Sequence, residues 1–87
     1  MDDINHHTSS LTKALIVQNR VQIGAELRQI RETLNMSQEQ LGEKMNINRS
    51  TISKIESGKF NCSLDYLSKF AFFLEFNIVL SKKVSAK

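Results

Sequence analysis

Arg49, Ser50, Ser53, Lys54 and Ser57 fall on one side of a short helix when the chain is wound at about 100° per residue, with Ile52, Ile55 and Glu56 on the other. Two cations among three small hydroxyls suit recognition, not bond breaking. The serines let a helix axis come close to a surface, while Arg and Lys reach past them. A DNA major groove admits a helix of this size, and an arginine can grip guanine through two hydrogen bonds. On this face alone, the solvated side of an ordinary helical bundle reads equally well. Reaction chemistry finds no support in the sequence. There is no nucleophile–base pair, no metal-ligand cluster and no glycine-rich phosphate loop, so no catalytic residue, metal or cofactor is expected. A catalytic Cys62 would want a histidine partner, and His6 and His7 are the only two, both in a polar N-terminal stretch. The adjacent pair could hold a metal, but a loose tail is the simpler reading. Cys62 reads as a small, half-buried residue.

The elements around this face are legible in turn and capping residues. Ser37 fits a helix N-cap, and Gln40 three residues later completes a capping box. Leu41 and Met45 form the apolar side of the helix that follows. Asn46-Ile47-Asn48 reads as a tight turn, because Asn tolerates the left-handed conformation. Asn48 then caps a helix running to Ser57, and Gly58 ends it. A short helix, a three-residue turn and a second helix must cross steeply. That needs a small residue at the contact, and Gly42 stands there. Leu41, Met45, Ile47, Ile52 and Ile55 supply the shared core.

Upstream, Ile23, Leu27, Ile30 and Leu34 recur at helical spacing and predict one apolar stripe, with Asn35 as its stop. Residues 1–22 read as a tail with a short helix over 11–22, capped by Ser9 or Ser10. Downstream, Ser63 with Asp65 opens a further helix. Leu64, Leu67, Ala71 and Leu74 form its core stripe, and Tyr66, Phe70 and Phe73 a second apolar stripe beside it. Phe76, Ile78 and Leu80 then alternate with their neighbours as a strand would. A lone strand cannot satisfy its backbone. Its candidate partners are Ala14 to Val17 and the same strand of a second molecule. The surplus aromatic face favours the second, so Tyr66, Phe70, Phe73, Phe76, Ile78 and Leu80 are expected at a homodimer interface.

Composition narrows the setting. Eighty-seven residues allow one domain with a small core. Twelve Lys and Arg against nine Asp and Glu give a net charge of +3, weak evidence for nucleic acid by itself. The absence of Pro and the presence of only three Gly fit a mostly helical chain. A single cysteine, no secretory signal and no span long enough for a bilayer point to the cytoplasm and away from membranes.

Taken together, the segments IGAELRQIRETLNMSQEQLGEKM, NRSTISKIESGK and SLDYLSKFAFFL resemble the lambda-repressor-like, Xre/Cro-type helix-turn-helix family of bacterial and phage regulators. The resemblance covers about Ile23 to Leu74, with Leu-Arg-x-Ile-Arg and Ser-Gln-x-x-Leu among its markers. Asn46 stands where the family usually has Gly, Gly42 where it usually has Ala, and Cys62 where Pro is common. None of these departures conflicts with the fold.

The resemblance implies an all-α domain of four to five helices over 23–75, followed by the strand and basic tail of 76–87. It implies double-stranded DNA as partner, read by a dimer on a palindromic operator. Gln38 would contact the DNA backbone and could reach a base edge, Arg49, Ser50, Thr51 and Lys54 would enter the major groove beside Ser53, and Lys59 and Asn61 would bind phosphate. Thr51 sits at the boundary of the outer face and could instead be half packed. The resemblance also implies an ion pair, Arg31 with Glu56, that orients the reading helix. Relatives carrying a strand after the last helix include antitoxins, so a toxin partner is the alternative to a purely regulatory role.

Overall fold

The computed structural model describes residues 6–83, with side chains from residue 9 onward. Four helices follow in order: α1 (His6–Thr33), α2 (Gln38–Met45), α3 (Arg49–Glu56) and α4 (Leu64–Leu74). At about 1.5 Å per residue α1 is some 42 Å long, which accounts for the longest dimension of the molecule, 44 Å.

The chain stops its helices in one repeated way. Asn35, Asn46, Gly58 and Glu75 all adopt positive φ, between 56° and 79°. After each, an amide reaches back five residues: Met36 to the Arg31 carbonyl, Ile47 to Gly42, Lys59 to Lys54, Phe76 to Ala71. These bonds satisfy carbonyls that a helix end otherwise leaves open. The starts are set by side chains. Ser37 Oγ accepts from the Gln40 amide at 3.0 Å while Gln40 Oε1 accepts from the Ser37 amide at 2.8 Å, a complete capping box. Ser63 Oγ accepts from the Tyr66 amide at 3.2 Å. Asn48 holds the N-cap position of α3 with extended backbone but no side-chain bond to the helix.

Leu27, Leu41, Met45, Ile52, Ile55, Phe70 and Leu74 form the core. Ile30, Met36, Ile47, Cys62, Leu67, Phe73 and Phe76 pack around it. α3 lies between α1 and α2, and α4 closes the far side against both.

Several expectations are corrected. Residues 6–22 are not a tail with a separate short helix; they continue into α1 without a break, so Ser9 and Ser10 lie inside the helix and cap nothing. The reading of residues 1–5 lies outside the described residues. The described chain is all-α with four helices; residues 76–83 form no strand, and the Phe76 amide instead closes the end of α4 on the Ala71 carbonyl. Phe70 is fully buried in its own core and so is withdrawn from a partner. Its neighbour Phe72, passed over in the sequence, is 75% exposed. Leu64, placed in the α4 core stripe, is 68% exposed, so α4 turns its Phe70–Leu74 edge inward. Ile23 and Leu34, at the ends of the α1 stripe, are also substantially exposed.

No helix among the described residues is long and apolar enough to cross a membrane. The described residues also contain no group of three His, Cys, Asp or Glu side chains suited to a metal ion.

Candidate nucleic-acid interface

The eight residues of α3 divide sharply. Ile52 and Ile55 are buried against the core, and Glu56 is buried with them. Arg49, Ser50 and Lys54 are exposed; Thr51 and Ser53 are half-buried at the boundary. Ser57, just past the helix, turns its hydroxyl back to the Lys54 carbonyl at 3.1 Å. Among the described residues, the side chains of Arg49, Ser50, Ser53 and Lys54 have no hydrogen-bond or ion-pair partner. A helix face that offers two cations and unengaged hydroxyls outward is available to a polar, anionic surface.

What fixes the angle of that face is a polar knot behind it. Glu56 accepts from Arg31 Nε at 2.7 Å and from Arg31 Nη2 at 3.0 Å, a two-point contact between α3 and α1. The same carboxylate accepts from Gln38 Nε2 at 3.0 Å, which brings in the first residue of α2. Arg31 Nη1 donates to the Met36 carbonyl at 2.6 Å, holding the α1–α2 connection. Three helices and a linker therefore meet at one buried charge pair. The Glu56 hydrogen bond raises the Arg31 pKa, outweighing the burial that acts against the charge, so the guanidinium stays ionised throughout the ordinary pH range.

Two glycines make the close approaches. Gly42 is buried in α2 next to the turn, and a Cβ there would lie 2.8 Å from the Ile47 carbonyl oxygen. Gly24 is tighter. A Cβ on it would lie 2.6 Å from the Glu56 carbonyl oxygen and nearer still to that of Ile55, so α1 crosses directly on the end of α3. The steep crossing of α2 and α3 discloses Gly42 in the sequence, while the approach at Gly24 emerges only in the fold. A signal was present, because a glycine inside a helix costs about 1 kcal/mol against alanine and usually marks a close contact. The bond from Gln38 to Glu56 is likewise hidden in the sequence, since nothing in helical spacing links residues so far apart.

The remaining candidates sit around α3. Gln38 stands at the start of α2, half-buried, its amide nitrogen engaged by Glu56. Lys59 is exposed just beyond the end of α3. Asn61 is exposed too, but it lines a concavity shared with Ile16, Asn19 and Arg20 of α1. Cys62 lines the same concavity, and burial pushes its thiol pKa up, against thiolate chemistry.

The pattern of the helix-turn-helix family matches residues 27–78 of this chain. The chain belongs to that family, the Xre/Cro-type, lambda-repressor-like regulators. Among solved structures it is similar to the restriction-modification controller protein C.AhdI from Aeromonas hydrophila. The two share 32% sequence identity over 69% of this chain and 91% of that one, with a TM-score of 0.66. No curated protein matches it. The segment α2–turn–α3 is thus the helix-turn-helix of a DNA-binding transcriptional regulator, and the family is not one of enzymes. In that motif α3 is the second helix, and the Arg31–Glu56–Gln38 knot fixes how it sits against α1 and α2. The family match begins at Leu27, so most of α1 lies before it.

Proposed function

We propose that the protein is a sequence-specific regulator that reads a palindromic operator as a homodimer, with α3 of each copy in a major groove. The observation that carries this reading is the unpartnered outer face of α3, held at a fixed angle by the buried knot. Arg49 is the best placed base reader, since its planar fork can take two acceptors on guanine. Ser50 and Thr51 make short contacts beside it. Ser53 lets the axis approach, and Lys54 and Lys59 neutralise phosphates. Gln38 gives one amide proton to Glu56 and retains a second proton and its carbonyl oxygen for the DNA backbone. The first amides of α2 add a phosphate site at its N-terminus. Asn61 contributes at the periphery.

Dimerisation is assigned to residues 76–80. Ile78 is 42% and Leu80 95% exposed in the single chain, an apolar segment in no helix or strand, whose backbone groups a partner strand could bond. Pairing with its copy would satisfy them and cover Ile78 and Leu80, with Phe73, Phe76 and Tyr66 beneath. A two-fold dimer places recognition helices about 34 Å apart, one turn of DNA. The similarity to a restriction-modification controller supports a small regulator that acts by occupying its operator.

Selection of bound sequences from random duplex DNA tests the reading, with an Arg49→Ala, Lys54→Ala variant as control. A palindrome enriched by the native protein and not by the variant is the expected result. Equal, sequence-blind binding by both across salt concentrations would refute it.

A further inference from the structure

The part of α1 before Leu27 lies outside the family pattern, and the fold sets it against the end of α3. A Cβ on Gly58 would lie 2.8 Å from Val21 Cγ2 and 2.9 Å from Val21 Cα, so α1 runs directly over the residue that ends α3. Lys59 and Asn61, both assigned to phosphate above, follow Gly58 in the chain. Arg20 and Asn19 of α1 and Asn61 and Cys62 of the α3–α4 connection then line one concavity. Its other lining residues are apolar or glycine.

The charge at this concavity is uncompensated. Arg20 stands eleven residues before Arg31, about three helical turns, and so on the same side of α1. Arg31 meets Glu56 on that side. Arg20 meets no acid, because no carboxylate lines the concavity. Glu26, the nearest acid in sequence, accepts instead from Gln22 at 3.4 Å. Cys62 adds no negative charge, since burial favours its protonated thiol. The side chains of Arg20, Asn19 and Asn61 have no hydrogen-bond or ion-pair partner among the described residues, and Arg20 is half-buried. A partly desolvated cation without a partner favours an anion. A forked guanidinium between two amides offers donors that suit phosphate oxygens.

The position of the concavity says which anion. Its Asn61 edge continues the flank of α3 that Lys59 occupies, so a duplex lying on α3 brings its backbone past Arg20. We infer that Arg20, with Asn19 and Asn61, grips a DNA phosphate next to the one held at Lys59, extending the footprint of each copy from the helix-turn-helix onto α1. The inference rests on the DNA reading above. Such a contact carries no base information; it fixes the register at which α3 enters the groove.

Phosphate-ethylation interference on the selected operator, with the full chain and with Arg20→Ala, reads the contact directly. Ethylation of one phosphate in each half-site should block the native protein and become neutral for Arg20→Ala, while the other interfering phosphates stay common to both. Arg20→Ala should bind operator and random duplex with similarly reduced affinity, and its slope of log affinity against log salt should shrink by about 1 per bound copy. Arg20→Lys should restore the slope, and the melting temperature of the free protein should not change. Identical interference patterns and equal slopes for native protein and Arg20→Ala would overturn the inference. So would inorganic phosphate that raises the melting temperature of the native protein but not of Arg20→Ala while the interference patterns agree, which would give the concavity to a soluble anion. The two readings fail separately. Sequence-blind binding with a slope that still falls in Arg20→Ala would sink the specific regulator and keep the α1 contact; a selected palindrome with an unchanged slope would do the reverse.

Discussion

The two sides of α3 do different jobs with the same eight residues. On the inner side Ile52 and Ile55 are sealed in the core and Glu56 is bonded to two other helices. On the outer side Arg49, Ser50 and Lys54 stand in solvent with no side-chain partner among the described residues. The angle at which the outer side meets a groove is therefore set mainly by residues such DNA would not touch, with Gln38 alone serving both the knot and the proposed backbone contact. Stability and sequence choice should come apart under mutation, and each substitution below tests whether they do.

Arg31→Ala has the largest expected effect. Arg31 and Glu56 side chains are 7% and 2% exposed, so deletion of the arginine strands a carboxylate in the core. Breaking one partner of a buried pair typically costs about 3–5 kcal/mol. A small domain has only about 5–15 kcal/mol in all, so urea unfolding should show a severe loss. Replacing both members together, Arg31→Met with Glu56→Leu, should be milder, because no charge is left unpaired. A single variant as stable as the native protein would show that the pair does not hold the mount.

Gly24→Ala comes next. The added methyl must push α1 off the Ile55 and Glu56 carbonyls, an overpacking cost of about 1–3 kcal/mol, against which alanine's better helix propensity returns about 1 kcal/mol. A net fall in melting temperature is expected, together with weaker operator binding, since the same shift tilts α3. An unchanged or higher melting temperature would place the crossing further apart than the structure has it.

These two residues also show what the sequence could and could not disclose. The helix-turn-helix was legible because its boundaries rest on local chemistry: Ser37 with Gln40, Asn46, Gly58 and Ser63 each act on backbone a few residues away. The four-residue run Ala14 to Val17 carries too little periodicity to decide between helix and strand, so the continuity of α1 through it is not legible. The direction of α4 was missed for another reason. Two apolar stripes lay side by side, and only packing against α1 and α2 selects Phe70 over Leu64 for burial. The knot around Glu56 joins residues 18 and 25 positions apart, a range that periodicity does not reach.

On the outer side, Arg49→Ala should leave urea stability unchanged, because the side chain is exposed and unpaired. Loss of a bidentate base contact typically costs about 1–3 kcal/mol of discrimination. Fluorescence titration should thus show operator affinity falling while affinity for random duplex changes much less. An equal loss on both DNAs would reassign Arg49 from base to phosphate.

Lys59→Ala should have the smallest effect, and it sharpens the contrast. Its backbone amide bonds the Lys54 carbonyl at 2.9 Å and helps end α3, but that bond survives truncation of the side chain. The exposed ammonium can act on DNA only as a point charge near a phosphate. Affinity should fall modestly and alike on operator and random duplex. The slope of log affinity against log salt should shrink by about 1, the signature of one fewer released counterion. If the slope is unchanged, Lys59 does not touch the backbone. If the loss is confined to the operator, sequence reading extends beyond α3, and the division between its two sides is too simple.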